Sequence, residues 1–247
     1  MRHATRIVFG LAILAAGTAL SAQQDMVKTH LGHVTTAFNG TPNGQGLLPT
    51  AMAEAKIAAQ HAALAMKSEG NLDGMKLHAG HVIHAVDPTV EMKGPGLNYG
   101  VKRAAQGVAQ HVDLAAKAPG ASKNVMTHSA HVATSAGNVV KWSDEILAAA
   151  KEVRSATDPK VAAGHVAHLN MLAQQLASGV DADKNGQIGW QAGEGGLQQA
   201  DLHMNLLLKG EGQSHAAPRR PPRSQHPRSG GSVRLRRLRG SPARTRA

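Results

Sequence analysis

GLLPTAMAEAKIAAQHAALA, residues 46–65, carries apolar residues three and four apart and almost no β-branched alternation. That spacing is the signature of an amphipathic helix. The stretch returns fifty residues later as GLNYGVKRAAQGVAQHVDLA, residues 96–115. Gly46, Leu47, Ala55, Ala59, Gln60, His61, Leu64 and Ala65 all match without a gap. Upstream of each copy stands an H-x-x-H-V unit, His30/His33 and His78/His81. A third unit, His128/His131, follows the second by another fifty residues, and a fourth pair, His165/His168, lies out of phase. The pattern predicts an all-α, Ala/His-rich bundle with an internal duplication of about 50 residues, its alanines letting helices approach closely.

Working outward, similar spacing predicts helices over 26–38, 50–67, 72–86, 97–117, 121–152, 159–178 and 191–208. Glycine, proline, asparagine and aspartate separate them, as in NGTPNGQG (39–46), DPTVEMKGPG (87–96) and APG (118–120). Such residues supply turn conformations that interrupt a helix. Asp158-Pro159 reads as an N-cap followed by proline in the first helical position. The domain plan is a leader over 1–22, a duplicated His-rich region over 23–158, a helix-loop-helix over 159–210 and a tail over 211–247.

The ends differ from the body. MRHATRIVFGLAILAAGTALSAQQD opens the chain with Arg2 and Arg6 ahead of a short apolar run, Ile7 to Ala16. This is the layout of a secretory signal peptide, with cleavage expected near Ala22 and a periplasmic or secreted product. The run is shorter than the roughly 20 residues a span requires, so no membrane attachment is expected after cleavage. From Pro218 the chain holds ten arginines, no acid and no lysine, with much proline, glycine and serine. That composition predicts disorder, and it is also what a translated alternative frame of a GC-rich gene would give. The ten tail arginines and the two leader arginines account for the whole net charge of +11; without them residues 23–217 carry one net negative charge. A nucleic-acid partner is therefore not expected for the folded body.

No cysteine is present, which removes disulfides, thiolate ligands, covalent haem attachment and cysteine nucleophiles. Histidine, by contrast, occurs 15 times, and five pairs are three apart: 30/33, 78/81, 81/84, 128/131 and 165/168. Chance placement gives about 0.9 such pairs. Residues three apart share a helix face, so two imidazoles can clip one ion, with a second helix completing the shell. Imidazole suits copper, zinc, nickel and iron. The candidate transition-metal ligands are His30, His33, His78, His81, His128, His131, His165 and His168. His61, His111, His203 and His84 are possible further ligands. In HAGHVIHA (78–85), the three histidines spread over about 120° of the helix, which makes His78/His81 the clip and His84 an extra. Haem b held by two histidines is a second reading; against it, the alanine-rich body offers few large apolar residues for a haem pocket.

Residues 181–192 read DADKNGQIGWQA. Asp181, Asp183 and Asn185 alternate, Gly186 follows at the sixth position, Gln187 offers a carbonyl at the seventh and Ile188 is apolar at the eighth. The stretch resembles the EF-hand loop, and the resemblance implies calcium held by these oxygens between two helices. It departs at position twelve, where the family places glutamate and this chain has Ala192; Glu194, two residues on, is the candidate substitute. A third reading is a structural module whose only ion site is this loop. The exported, histidine-rich, helical composition also resembles that of bacterial periplasmic small metal-binding proteins, without a residue-level match. Nucleophile elbows, phosphate loops, H-E-x-x-H and dinucleotide fingerprints are absent, and no Glu-x-x-His pair points to a di-iron bundle. The expectation is a non-catalytic metal-ion-binding protein that sequesters or carries its ion.

Overall fold

A computed structural model describes residues 26–212. The expected leader over 1–22, and all but the first two residues of the expected tail, lie outside the described residues. Within them the chain is all-α. Helix α1 covers residues 26–35, followed by α2 (Leu47–Lys67), α3 (Leu72–Val86), α4 (Val101–Lys117), α5 (Lys123–Ser155), α6 (Pro159–Ser178) and α7 (Leu197–Gly210). None of these helices is long and apolar enough to cross a membrane.

Local chemistry explains most boundaries. The Asn71 side chain accepts the amide of Gly74 at the start of α3, and Ser122 accepts that of Val125 at the start of α5. Asp158 accepts two amides, those of Lys160 and Val161, ahead of Pro159. Each satisfies donors that a helix leaves open in its first turn. Helix α2 begins three residues before the expected position 50, because Pro49 falls in its first turn, where a missing amide hydrogen costs nothing. Helix α4 begins four residues late: Asn98 and Gly100 take positive φ, 60° and 87°, and hold the chain out of helix until Val101. Helix α7 begins at Leu197 rather than 191, because Gly193, Gly195 and Gly196 belong to the preceding turn.

The seams are built from small residues at alternating spacings of three and four. On α2, Ala51, Ala55, Ala58, Ala62 and Ala65 are all fully or almost fully buried. On α4 the buried Val101, Ala105, Val108, Val112 and Ala115 each lie fifty residues on from a counterpart, and Ala104 is buried beside them. Helix α5 is the long central element and packs on α3, α4, α6 and α7, while α2 packs on α3, α4 and α6. Larger side chains are also fully buried, among them Leu31, Leu48, Met75, Ile146, Leu169, Leu176, Met204 and Leu207.

Two buried features fix how α1, α2 and α4 meet. Gly46 lies against the end of α1, where a Cβ would come within 2.5 Å of the Thr35 carbonyl carbon and 2.7 Å of the Thr36 amide nitrogen. Glu54, fully buried on α2, accepts the amides of Tyr99 and Gly100 at 3.0 Å each. It thereby fixes the turn that leads into α4, whose N-cap position is a glycine with no side-chain cap of its own. Gly46→Ala is expected to lower stability by about 1–3 kcal/mol, the usual cost of overpacking. Urea unfolding followed by circular dichroism checks this; an unchanged midpoint would contradict the close crossing.

Candidate metal centres

Packing of these helices gathers nine histidines into three groups of three. His30 and His33 of α1 meet His111 of α4. His78 and His81 of α3 meet His61 of α2. His128 and His131 of α5 meet His203 of α7. In each group an H-x-x-H clip on one helix faces a single histidine on another, and all nine rings are half-buried.

The three groups share one geometry. His111 Nδ1 lies 3.1 Å from His30 Nδ1 and 3.4 Å from His33 Nδ1. His61 Nδ1 lies 3.1 Å from His78 Nδ1 and 3.3 Å from His81 Nδ1. His203 Nδ1 lies 3.1 Å from His128 Nδ1 and 3.3 Å from His131 Nδ1. An imidazole nitrogen carries either one hydrogen or one lone pair in the ring plane. The single histidine of each group can therefore complete one good hydrogen bond through Nδ1, not two. One hydrogen bond per group leaves the third ring nitrogen without a partner in it, and the three nitrogens of each group lie close enough together that they could hold a metal ion. Metal–nitrogen bonds of about 2.0–2.1 Å in tetrahedral geometry place neighbouring donors about 3.3–3.4 Å apart. The distances from each single histidine to its clip, 3.1–3.4 Å, lie close to that value.

Electrostatics favour the neutral, metal-ready form. His61 and His111 have pKa values below 6.5, first through burial and then through the neighbouring clip. His203 is pushed down to about 4, by burial and then by His131 and His128. Burial, followed by one clip neighbour, also lowers His30 and His131. Imidazole must be deprotonated to bind a metal, and the lowered values favour that neutral form at His30, His61, His111, His131 and His203.

The groups differ in their surroundings. Phe38 stands edge-on to both His33 and His111, with centroids 5.4 and 5.2 Å away. Trp190 stacks on His131 at 3.9 Å and 17°. The group on α2 and α3 has no aromatic neighbour beyond its own rings among the described residues. Neither Phe38 nor Trp190 carried a sequence signal for this position, since each lies in a loop remote in sequence from part of the group it borders.

Three histidines named from the sequence take no part in the groups. His84 is buried; its Nδ1–H donates to the Glu91 carbonyl at 2.8 Å, and its Nε2 faces inward near Gly96. His165 and His168 on α6 meet no third metal-ligating side chain among the described residues.

The acidic loop also gathers ligands. Asp181, Asp183 and Glu194 bring one carboxylate oxygen each within 4.8 Å of the others. Gly186 takes φ +86°, and its amide donates to Asp181 Oδ2 at 2.9 Å. Asn185 donates its amide to both aspartates and accepts that of Gln187. Exposed Ala192 stands outside the cluster, while buried Glu194 accepts the Gly189 amide through Oε2 at 3.0 Å. The backbone closes the loop, Val180 N–H donating to the Glu194 carbonyl at 2.9 Å. Asn138 of α5 holds the far side, through the Gln191 and Gly195 carbonyls and the Gly193 amide.

No protein-family model, curated protein sequence or solved structure matches the chain.

The depressed histidines make the stability of the metal-free protein depend on pH. His203 titrates near 4 when folded and near 6.5 when unfolded. Between those values the unfolded chain binds the extra proton, so stability is complete above about pH 6.5 and is lost as pH falls toward 4. The thermal midpoint of metal-free protein is expected to drop from pH 7 to pH 5. His203→Gln is expected to flatten that slope; equal slopes in the two proteins would contradict the assignment.

Proposed function

We propose that the chain is an exported metal-ion-binding protein that sequesters or carries a first-row transition metal, copper, zinc or nickel, in three His3 sites. The observation that carries this reading is the recurrence of one donor spacing, to within 0.1 Å, on three different helix pairs. His30, His33 and His111 would hold one ion, His61, His78 and His81 a second, and His128, His131 and His203 a third. Each ion would keep one open position, reachable because the rings are half-buried, through which it could be exchanged. The role is non-catalytic.

The spacing favours a bare ion over haem. Axial imidazoles grip haem iron from opposite sides, with nitrogens about 4 Å apart and a porphyrin plane between them. Nitrogens 3.1–3.4 Å apart leave no room for that plane.

The acidic loop supports an additional reading as a variant EF-hand site for calcium, with Glu194 in place of the twelfth-position glutamate. Hard carboxylate oxygens suit calcium, and the convergence of Asp181, Asp183 and Glu194 favours it.

Two measurements test these readings. Elemental analysis after zinc or copper loading is expected to give three ions per chain bound by the triads, with no Soret band after haem addition. His61→Ala, His111→Ala and His203→Ala are each expected to remove one ion and leave two; retention of all three would overturn the assignment. For the loop, terbium luminescence sensitised through Trp190 is expected to appear on titration and to be displaced by calcium. Asp181→Asn with Glu194→Gln should abolish it; a signal that survives both substitutions would exclude these ligands.

A further inference from the structure

The fourth clip differs from the other three in what faces it. His165 and His168 repeat the spacing of three that occurs in every triad, yet among the described residues no third metal-ligating side chain joins them. His168 is exposed and His165 half-buried. A bare transition ion takes about four donors at such sites, and this clip supplies two.

The surface around it is also unusual. An exposed helix face in a water-soluble bundle normally carries charge. In the twenty residues of α6 the one charged side chain is Lys160, at the start. The open face runs through Val161, Gly164, Ala167, His168, Met171 and Gln174, all exposed. Val161 and Met171 are 54% and 56% accessible. Gly164 has nothing within 4 Å of where a side chain would begin, so another helix can approach closely there. By contrast α4 and α5 carry Lys102, Arg103, Asp113, Lys141, Asp144, Glu145 and Lys151.

We propose that His165 and His168 form half of a fourth transition-metal site, completed by the same pair from a second copy of the chain, so that one ion joins two copies through their α6 faces. This rests on the metal-binding reading above and adds to it a site and a partner. Two-fold symmetry satisfies the donor count, because two clips give four imidazoles and a closed tetrahedral shell. A two-fold contact is self-complementary, each face meeting its own copy. Antiparallel crossing of the two helices also sets Lys160 of one copy at the far end from Lys160 of the other, so no like charges meet. The face carries no charged side chain beyond Lys160, so burying it strands no charge, and the bridging ion is what holds the two copies together. Dimerisation therefore depends on metal, and begins only when supply exceeds what the three triads take up.

Sedimentation velocity on the full chain, with zinc added stepwise, tests this. The protein is expected to remain monomeric up to three equivalents and to become dimeric beyond, with half an ion more per chain. His165→Ala/His168→Ala is expected to keep the three triad ions, lose the extra half ion and stay monomeric at every zinc level. Gly164→Glu, which adds charge at an open position, is expected to prevent the dimer and leave the triads loaded. A wild-type chain that binds three ions and stays monomeric in excess zinc would overturn the proposal while leaving the triads intact. A dimer that persists in either variant would overturn the metal bridge or the face. A chain that binds no zinc at all would overturn the metal-binding reading along with it.

Discussion

Small side chains at the helix seams govern the rest of the molecule. An imidazole reaches only a few ångströms beyond its own backbone, so two helices must run close together before their histidines can share an ion. Ala51, Ala55, Ala58, Ala62 and Ala65 on α2, and the mixed alanine and valine seam on α4, provide that closeness. Leucine seams would push the axes apart and separate the donors. The same choice that weakens the core, since alanine buries little apolar surface, makes the two triads that draw on α2 and α4 geometrically attainable. An ion in each triad would add back cohesion that small side chains leave out.

Helix type and sequence were legible because alanine-rich spacing of three and four is unambiguous over stretches of fifteen residues or more. Boundaries were less so, where glycine and proline chemistry depended on contacts. Pro49 sits inside α2, and Asn98 and Gly100 hold off α4. Three of the histidine pairs, 30/33, 78/81 and 128/131, were legible as well, since residues three apart on a helix are neighbours by construction. Which single histidine each clip faces was not. The repeat presents a clip and then a single histidine in each unit, His30/His33 before His61 and His78/His81 before His111. The fold exchanges them: the first clip takes His111 and the second takes His61. Only the packing order of α1 to α4 decides that, and no periodicity within one helix contains it.

The acidic loop shows the same limit from another side. Its first eight positions follow a pattern in sequence, whereas the replacement of the closing carboxylate depends on the backbone turn that brings Glu194 back beside Asp181. That turn is held by Asn138, more than forty residues upstream on α5. Because α5 also carries His128 and His131, and Trp190 reaches from the loop to stack on His131, the loop and the third triad share a scaffold.

The exchange of histidines between the repeated units has a topological consequence. His61 reaches a clip only 17 residues away, within one helical hairpin, whereas His111 reaches back 81 residues and His203 reaches back 75. Cross-links that close long loops restrict the unfolded chain more than those that close short ones. An ion in the hairpin triad would staple two neighbouring helices and little else. An ion shared by α1 and α4 would fasten the first described helix to the middle of the fold, and one shared by α5 and α7 would fasten the last. Emptying the outer two triads would then loosen the bundle from its ends inward, while the central hairpin kept its grip.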